Sequence, residues 1–307
     1  AWEYTLDSLS RYFETALARS GVELPVVTQH PLDLMQEDLP TLAQELIGAY
    51  LESARLLGQR TAEMHLALIP KHHSPDFEPE PFTDHYRLGL FHGMTGLTAR
   101  SFQLLRRKLK SLAPEAQEEA QRVLELDEQV RQRFRALRDR RVTAMRIRHH
   151  GDFHLGQVLY TGKDFIIIDF EGEPARALSE RRLKRSPLRD PAGMLRSFQY
   201  AAYAALFGQV PGVTPTPESL PALEAWASFW TAWVSAVYLR GYLAVAGKAP
   251  YMPKTQDGLR VLLDAYTLEK AVYEIGYELN NRPAWVRIPL HGILKLIEAP
   301  AEKLRKE

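Results

Sequence analysis

Apolar residues recur at three- and four-residue spacing along most of this chain, so the expected architecture is mainly helical. Thr5 or Asp7 is placed to cap a first helix that runs to Ser20, with Gly21 as its stop. Asp38-Leu39-Pro40-Thr41 opens a longer one. There Leu42, Leu46, Tyr50, Ala54 and Leu57 keep helical spacing, and the pattern continues towards Leu68. Residues 70–84, rich in Pro, His and acids, are expected as an exposed loop. Helices are expected over about 86–112 and 114–141. The second shows a charged face of Glu118, Glu119, Arg122, Glu125, Arg131 and Arg133, read as solvated.

The period changes in the middle of the chain. Val158–Tyr160, the turn Thr161-Gly162-Lys163-Asp164 and Phe165–Ile168 form the pattern of a β-hairpin. A basic stretch follows, then Asp190-Pro191, which reads as a cap with proline in the first helical turn. That helix is expected to end near Phe207. Pro211–Pro221 reads as a loop, and two long helices, about 222–246 and 256–281, precede a short last one from Pro289. Trp226, Trp230 and Trp233, at helical spacing, are expected in the core.

Composition narrows the function class. The 307 residues are 45% hydrophobic and 25% charged with net charge +1, which excludes nucleic-acid binding through bulk charge. Cysteine is absent, so there is no disulfide or thiolate metal site, and a reducing, cytoplasmic location is expected. Residues 1–5 show no signal-peptide pattern. The most apolar stretch, 225–242, carries Ser228, Thr231, Ser235 and Arg240, so no membrane span is expected.

The chemistry concentrates in His149-His150-Gly151-Asp152-Phe153-His154-Leu155-Gly156-Gln157 and in Ile166-Ile167-Ile168-Asp169-Phe170-Glu171-Gly172. Phosphoryl transfer needs a carboxylate near the acceptor hydroxyl and hard oxygen ligands for Mg²⁺ beside the nucleotide phosphates. Asp152 is the candidate base, and Gln157 and Asp169 are the candidate Mg²⁺ ligands. His150, Glu171 and Arg185 are assigned to the nucleotide side. Two alternatives stand beside this reading. Asp152 caps a turn, or His149, His150, Asp152 and His154 supply a metal hydrolase. The basic stretch holds Arg176, Arg181, Arg182, Lys184, Arg185 and Arg189; it serves to order the metal loop or contact phosphate, or is a solvated loop. Tyr273 and Tyr277 share one helix face with Glu278 beside them, and Arg282 and Trp285 follow; they are either ordinary half-buried helix residues or, if the acceptor is the sugar that the resemblance below implies, its candidate contacts.

Four further blocks carry a resemblance: Leu57–His65, Ile168–Pro174, Arg181–Asp190 and Asn280–Leu290. With His150–Gln157, they resemble bacterial maltokinases, which also occur as the C-terminal part of some trehalose synthase fusions. That family groups with aminoglycoside phosphotransferases and choline kinases in the protein-kinase-like fold. The resemblance implies ATP and Mg²⁺ as cofactors and maltose as substrate, giving maltose 1-phosphate for α-glucan metabolism. A different small-molecule acceptor, or a catalytically incomplete sugar-binding module, is the alternative. Gln157 stands where the wider superfamily has Asn.

No Val-Ala-x-Lys strand and no Gly-x-Gly-x-x-Gly loop precedes residue 150; Gly89, Gly93 and Gly96 sit at other spacings. The fold class expected is therefore mainly α with a small β-hairpin: the C-terminal lobe of a kinase-like fold, its N-terminal lobe absent. Within it, 1–148 form a helical subdomain, 149–190 the catalytic and metal loops, and 191–307 the helices with the sugar site. The expected partners are maltose and either the missing lobe or a fused trehalose synthase domain. We predict that the isolated 307 residues bind ATP weakly and turn over slowly. Robust maltose-dependent ADP release from this chain alone overturns that expectation.

Overall fold

The computed structural model describes residues 1–19, 24–70, 72, 74–174, 176–207 and 219–298. Helix accounts for 69% of it. In chain order the elements are α1 (Trp2–Ala18), α2 (Pro31–Leu34), α3 (Thr41–Ile47), α4 (Tyr50–Ala67), β1 (Glu80–Pro81), α5 (Asp84–Lys108), α6 (Pro114–Glu125), α7 (Asp127–Asp139) and β2 (Met145–Arg146). They continue with β3 (Val158–Tyr160), β4 (Phe165–Ile167), α8 (Leu178–Arg181), α9 (Arg189–Leu206), α10 (Leu220–Ala246), α11 (Gln256–Asn281) and α12 (Arg287–Glu298). The expected stop at Gly21 and most of the expected loop from Pro211 lie outside the described residues.

Several boundaries differ from the sequence reading, each for a local reason. The helix expected over 41–68 is two, because Gly48 turns the chain with φ of 62°. The helix expected over 114–141 divides at Leu126, which leaves the helical region between α6 and α7. The first helix starts at Trp2 with no side-chain cap, so neither Thr5 nor Asp7 begins it; Thr5 instead bonds the Ala1 carbonyl and the Tyr50 hydroxyl. The last helix opens at Arg287, ahead of Pro289.

Two compact units are present, and neither is contiguous in sequence. The first comprises Ala1–Phe82 and Val142–Leu263; the second comprises Thr83–Arg141 and Asp264–Glu307. In the first, α4 and α10 cross at backbone contact. A Cβ on Gly58 would lie 2.1 Å from the Tyr238 carbonyl oxygen, and one on Gly241 would lie 2.1 Å from that of Arg55. Only glycine at both positions permits that approach. Trp226, Trp230 and Trp233 are buried on α10, as expected. Tyr12 of α1 donates to the Trp226 carbonyl at 2.9 Å, fixing α1 against the same core. Two antiparallel pairs complete this unit: β1 with β2, and the β3–β4 hairpin expected from the sequence.

In the second unit the charged face of α6 and α7 is only partly solvated. Glu119 holds Arg287 of α12 at 2.8 Å, Arg122 pairs with Glu298 at 2.6 Å, and Arg133 donates to the Ile297 carbonyl. Charges read as a solvent face thus serve as interhelical pairs. Arg87 donates to the Leu137 and Arg138 carbonyls at the end of α7, and Lys108 to the Leu279 carbonyl of α11. Among the described residues no helix is long and apolar enough to cross a membrane.

Gly58→Val forces a branched side chain into the Tyr238 backbone. It is expected to lower unfolding stability by about 3 kcal/mol, read from urea denaturation midpoints.

Candidate active site

One face of α9 holds the central motif. Asp190, Gly193 and Ser197 recur at i, i+3 and i+7, so they lie in a row along the helix. Asp190 accepts the His150 amide at 2.7 Å and the Gly151 amide at 2.9 Å. A Cβ on Gly193 would stand 2.6 Å from the Phe153 carbonyl oxygen. Ser197 Oγ accepts the Leu155 amide at 3.0 Å. Residues 150–155 are therefore pinned along about two turns of one helix. Asp190 lies inside α9 and turns its carboxylate to the loop, so the cap inferred from Asp190-Pro191 is replaced by an anchor.

Asp190 is 1% exposed, and a buried carboxylate requires compensation. A third donor supplies it: His65 Nε2 on α4 lies 3.0 Å from Oδ2. His65 is fully buried, and its Nδ1 is 3.0 Å from the Tyr242 hydroxyl of α10. With Nε2–H given to Asp190, Nδ1 is the acceptor and Tyr242 the donor. Burial pushes the Tyr242 hydroxyl well above its ordinary range, which keeps it protonated for that role. Burial alone would raise the Asp190 carboxyl. The electrostatic pull of His149 and the hydrogen bond from His65 outweigh it and hold the group well below the usual carboxylate range.

His150 joins two loops. Its Nε2 donates to the Ile168 carbonyl at 2.8 Å, its Nδ1 faces the Asp152 amide at 3.4 Å, and its ring packs between Phe153 and Phe170. At 1% exposure it is an internal brace, which corrects its assignment as a nucleotide contact. Gly151 and Gly172 both have positive φ, 90° and 76°, and a Cβ on Gly151 would stand 3.4 Å from the Gly172 Cα. The loop bearing Asp152 and the loop bearing Asp169 meet at these two glycines.

The hairpin brings Gln157 and Asp169 together. Register Val158↔Ile167 and Leu159↔Ile166 places residue 157 beside 168, and the Ile168 amide donates to the Gln157 carbonyl at 3.0 Å. Gln157 Nε2 donates to Asp169 Oδ2 at 2.8 Å. Asp169 has φ of 63°, the one positive-φ residue other than glycine among those described. Aspartate tolerates this left-handed region better than most residues, at a strain of order 1 kcal/mol. Asp152 is 13% exposed, with His154 Nε2 3.8 Å from its Oδ2. The Gly156 amide donates to His154 Nδ1 at 3.0 Å, which leaves Nε2 protonated on the side of Asp152.

Among the described residues no three His, Cys, Asp or Glu side chains converge as a metal cluster, which removes support from the hydrolase alternative. In the basic stretch, Arg181 donates to the Arg176 and Pro174 carbonyls, and Lys184 pairs with Glu80. The Arg185 backbone pairs with Ile147. Glu171 is exposed in the turn between Phe170 and Gly172.

The residues assigned to the sugar lie in the second unit. Tyr273 and Tyr277 stack with centroids 6.5 Å apart, and the Arg282 guanidinium sits over Tyr277 at 5.5 Å and Trp285 at 4.5 Å. Glu278 is 1% exposed and holds Arg282 through two bonds of 2.7 and 3.0 Å. It therefore orients Arg282 and does not offer its carboxylate outward. Sequence reasoning missed His65, Gly193 and Ser197, and misread Asp190. The 190/193/197 spacing was the available signal.

The arrangement is that of a kinase-like phosphotransferase. Solved glucosamine kinase structures superimpose on 94–97% of this chain with TM-scores of 0.63–0.64 at 20–21% identity, among them a complex with glucosamine, ADP and inorganic phosphate. The chain belongs to the phosphotransferase enzyme family (APH), whose model matches residues 12–172. It is 26% identical over 140 residues to a glucosamine kinase of Streptacidiphilus jiangxiensis and 29% identical over 150 residues to one of Mycolicibacterium smegmatis. Those matches cover 46% and 48% of this chain, and 29% and 34% of the relatives. The chain spans 57–60% of the length of the solved glucosamine kinases.

Burial lowers His149 from 6.5 to about 4, with Arg189 and Arg185 adding to the effect and Asp190 opposing it. Between those values the unfolded chain takes up a proton that the folded chain refuses. Stability is therefore expected to fall on acidification from pH 6.5 towards 4, by up to one proton's slope. Urea titrations across that range check it, and His149→Gln should flatten the slope.

Proposed function

We propose that this chain carries the phosphoryl-transfer centre of an ATP-dependent sugar kinase. The observation that supports the reading most is the juxtaposition of an anchored Asp152 loop with the Gln157–Asp169 pair. Asp152 receives the proton of the acceptor hydroxyl as its oxygen attacks the γ-phosphorus, and the bond to the β-phosphate oxygen breaks to release ADP. His154 keeps an N–H towards the Asp152 carboxylate, and α9 keeps the loop fixed while the proton moves.

Gln157 and Asp169 suit Mg²⁺, which takes hard oxygens, few protein ligands and phosphate oxygens besides. Bound there, the ion would neutralise phosphate charge. Asp169 contributes the carboxylate, and Gln157 orients it through the 2.8 Å hydrogen bond while its own carbonyl oxygen supplies a second hard donor. Leu159 and Ile166 are 49% and 52% exposed as a cross-strand pair on this hairpin, an apolar floor for the nucleotide base.

For the acceptor we favour maltose. The face of α11 offers aromatic rings and cations: Lys270 lies over Tyr273, Arg282 lies over Tyr277 and Trp285, and Glu278 is neutralised by Arg282. Such a face suits a neutral sugar better than an ammonium sugar. Glucosamine is the second reading, favoured by the names of the relatives.

ADP release at high enzyme concentration, with maltose, glucosamine or water as acceptor, separates these readings. Maltose-dependent release is expected, and Asp152→Asn should lower it by about 10²–10⁴-fold. Release with glucosamine alone would replace maltose, and an undiminished Asp152→Asn enzyme would remove Asp152 from its role.

A further inference from the structure

The basic stretch between the two loops has an unusual charge problem. Arg176, Arg181, Arg182, Lys184, Arg185 and Arg189 fall within 14 residues, and only Glu180 adds an acid among them. Such a run repels itself and, left alone, favours extended, solvated chain. Here it is held by a segment from far upstream. Residues 74–82 cross beside it, with Glu80 and Pro81 paired to Arg146 and Met145 and the Phe82 amide donating to the Ala144 carbonyl at 3.0 Å.

Glu80 bridges the two elements. Its Oε1 lies 3.0 Å from Lys184 Nζ, and its Oε2 lies 2.8 Å from Arg146. Lys184 is 9% exposed and also donates to the Pro75 carbonyl at 2.7 Å, so both its bonds go to this one segment. Arg148 adds a clamp, stacking on Phe77 at 5.4 Å and donating to the Arg182 carbonyl at 2.8 Å. Between these side-chain contacts, Ile147 and Arg185 exchange both backbone hydrogen bonds, at 2.9 and 3.1 Å.

Each end of the clamped stretch touches the site. Ile147 lies two residues before the His149–Gln157 motif. Arg181 packs against Gly172, its Cβ 3.5 Å from where a Gly172 side chain would begin, three residues past Asp169. We propose that residues 74–82 are an ionic strap, with Glu80 as its latch, that orders the basic stretch and through it positions the loops bearing Asp152 and Asp169. A carboxylate built into the chain does here what a phosphate group does when it orders a basic segment from outside.

The consequence is local. Removing Glu80 leaves the buried Lys184 ammonium with a single carbonyl partner and Arg146 facing it. That opens the strap without touching the α4–α10 core. Hydrogen exchange on the full chain reads this directly, and it does so whatever the chain phosphorylates. In Glu80→Gln, amides of 145–148 and 182–186 are expected to exchange about tenfold faster, since exchange tracks the population of the locally open form. Amides of α10 should keep their protection, and the thermal midpoint should stay close to that of the parent. Lys184→Met provides a second route: it removes the same ion pair but leaves Glu80 on Arg146, so 182–186 should loosen more than 145–148. Unchanged exchange at both peptides in Glu80→Gln overturns the strap. So does a uniform rise across α10 with a lowered midpoint, which would make Glu80 an ordinary stabilising residue.

Discussion

The buried carboxylate of Asp190 is the constraint on which the rest of the site depends. It gathers the consecutive amides of His150 and Gly151 and the imidazole of His65, so two segments far apart in the chain meet on one side chain of α9. An ionised group in that position is tolerable only because all three donors are present. The converse also holds. The amides of His150 and Gly151 belong to an irregular segment with no ladder or helix of its own, and they would be costly to bury without an acceptor. Loop and helix satisfy each other, and the helix core fixes where the loop must lie.

The same economy of backbone appears wherever two segments converge. Gly193 lets α9 approach the Phe153 carbonyl, Gly151 lets the Asp152 loop approach Gly172, and Gly58 and Gly241 let α4 meet α10. The last pair matters for the site although it is distant from it in sequence, because α4 carries His65 and α10 carries Tyr242. The glycines set the helix separation; the separation sets the hydrogen-bond chain from Tyr242 through His65 to Asp190.

What could be read from the sequence was what short-range physics determines. The hairpin was legible because its turn residues and β-branched strands act over ten residues, and its register then placed Gln157 beside Asp169. The breaks at Gly48 and Leu126 were hidden because apolar spacing runs across them: Leu46 and Tyr50 keep helical phase although the helix does not continue. Asp190 was misread because Asp-Pro at a helix start has the same local signature whether the carboxylate turns to its own helix or away. His65 was illegible for a different reason. Its partner lies 125 residues on, and no local rule links them. The pairing of Glu278 with Arg282, at i and i+4, obeys a local rule, but its burial is a property of the packed helix.

Asp169 narrows the choice of residue in a way that charge alone does not. Its backbone lies in the left-handed region, where side chains branched at Cβ are excluded and longer ones are disfavoured. Glutamate would carry the same charge but shares neither the conformational tolerance nor the reach to Gln157. Asparagine shares both and lacks the charge. Position 169 therefore admits very few occupants on steric grounds, and only one of them is an acid suited to the turn. Aspartate to asparagine is thus the single isosteric step that removes the charge at this position while the backbone keeps its shape.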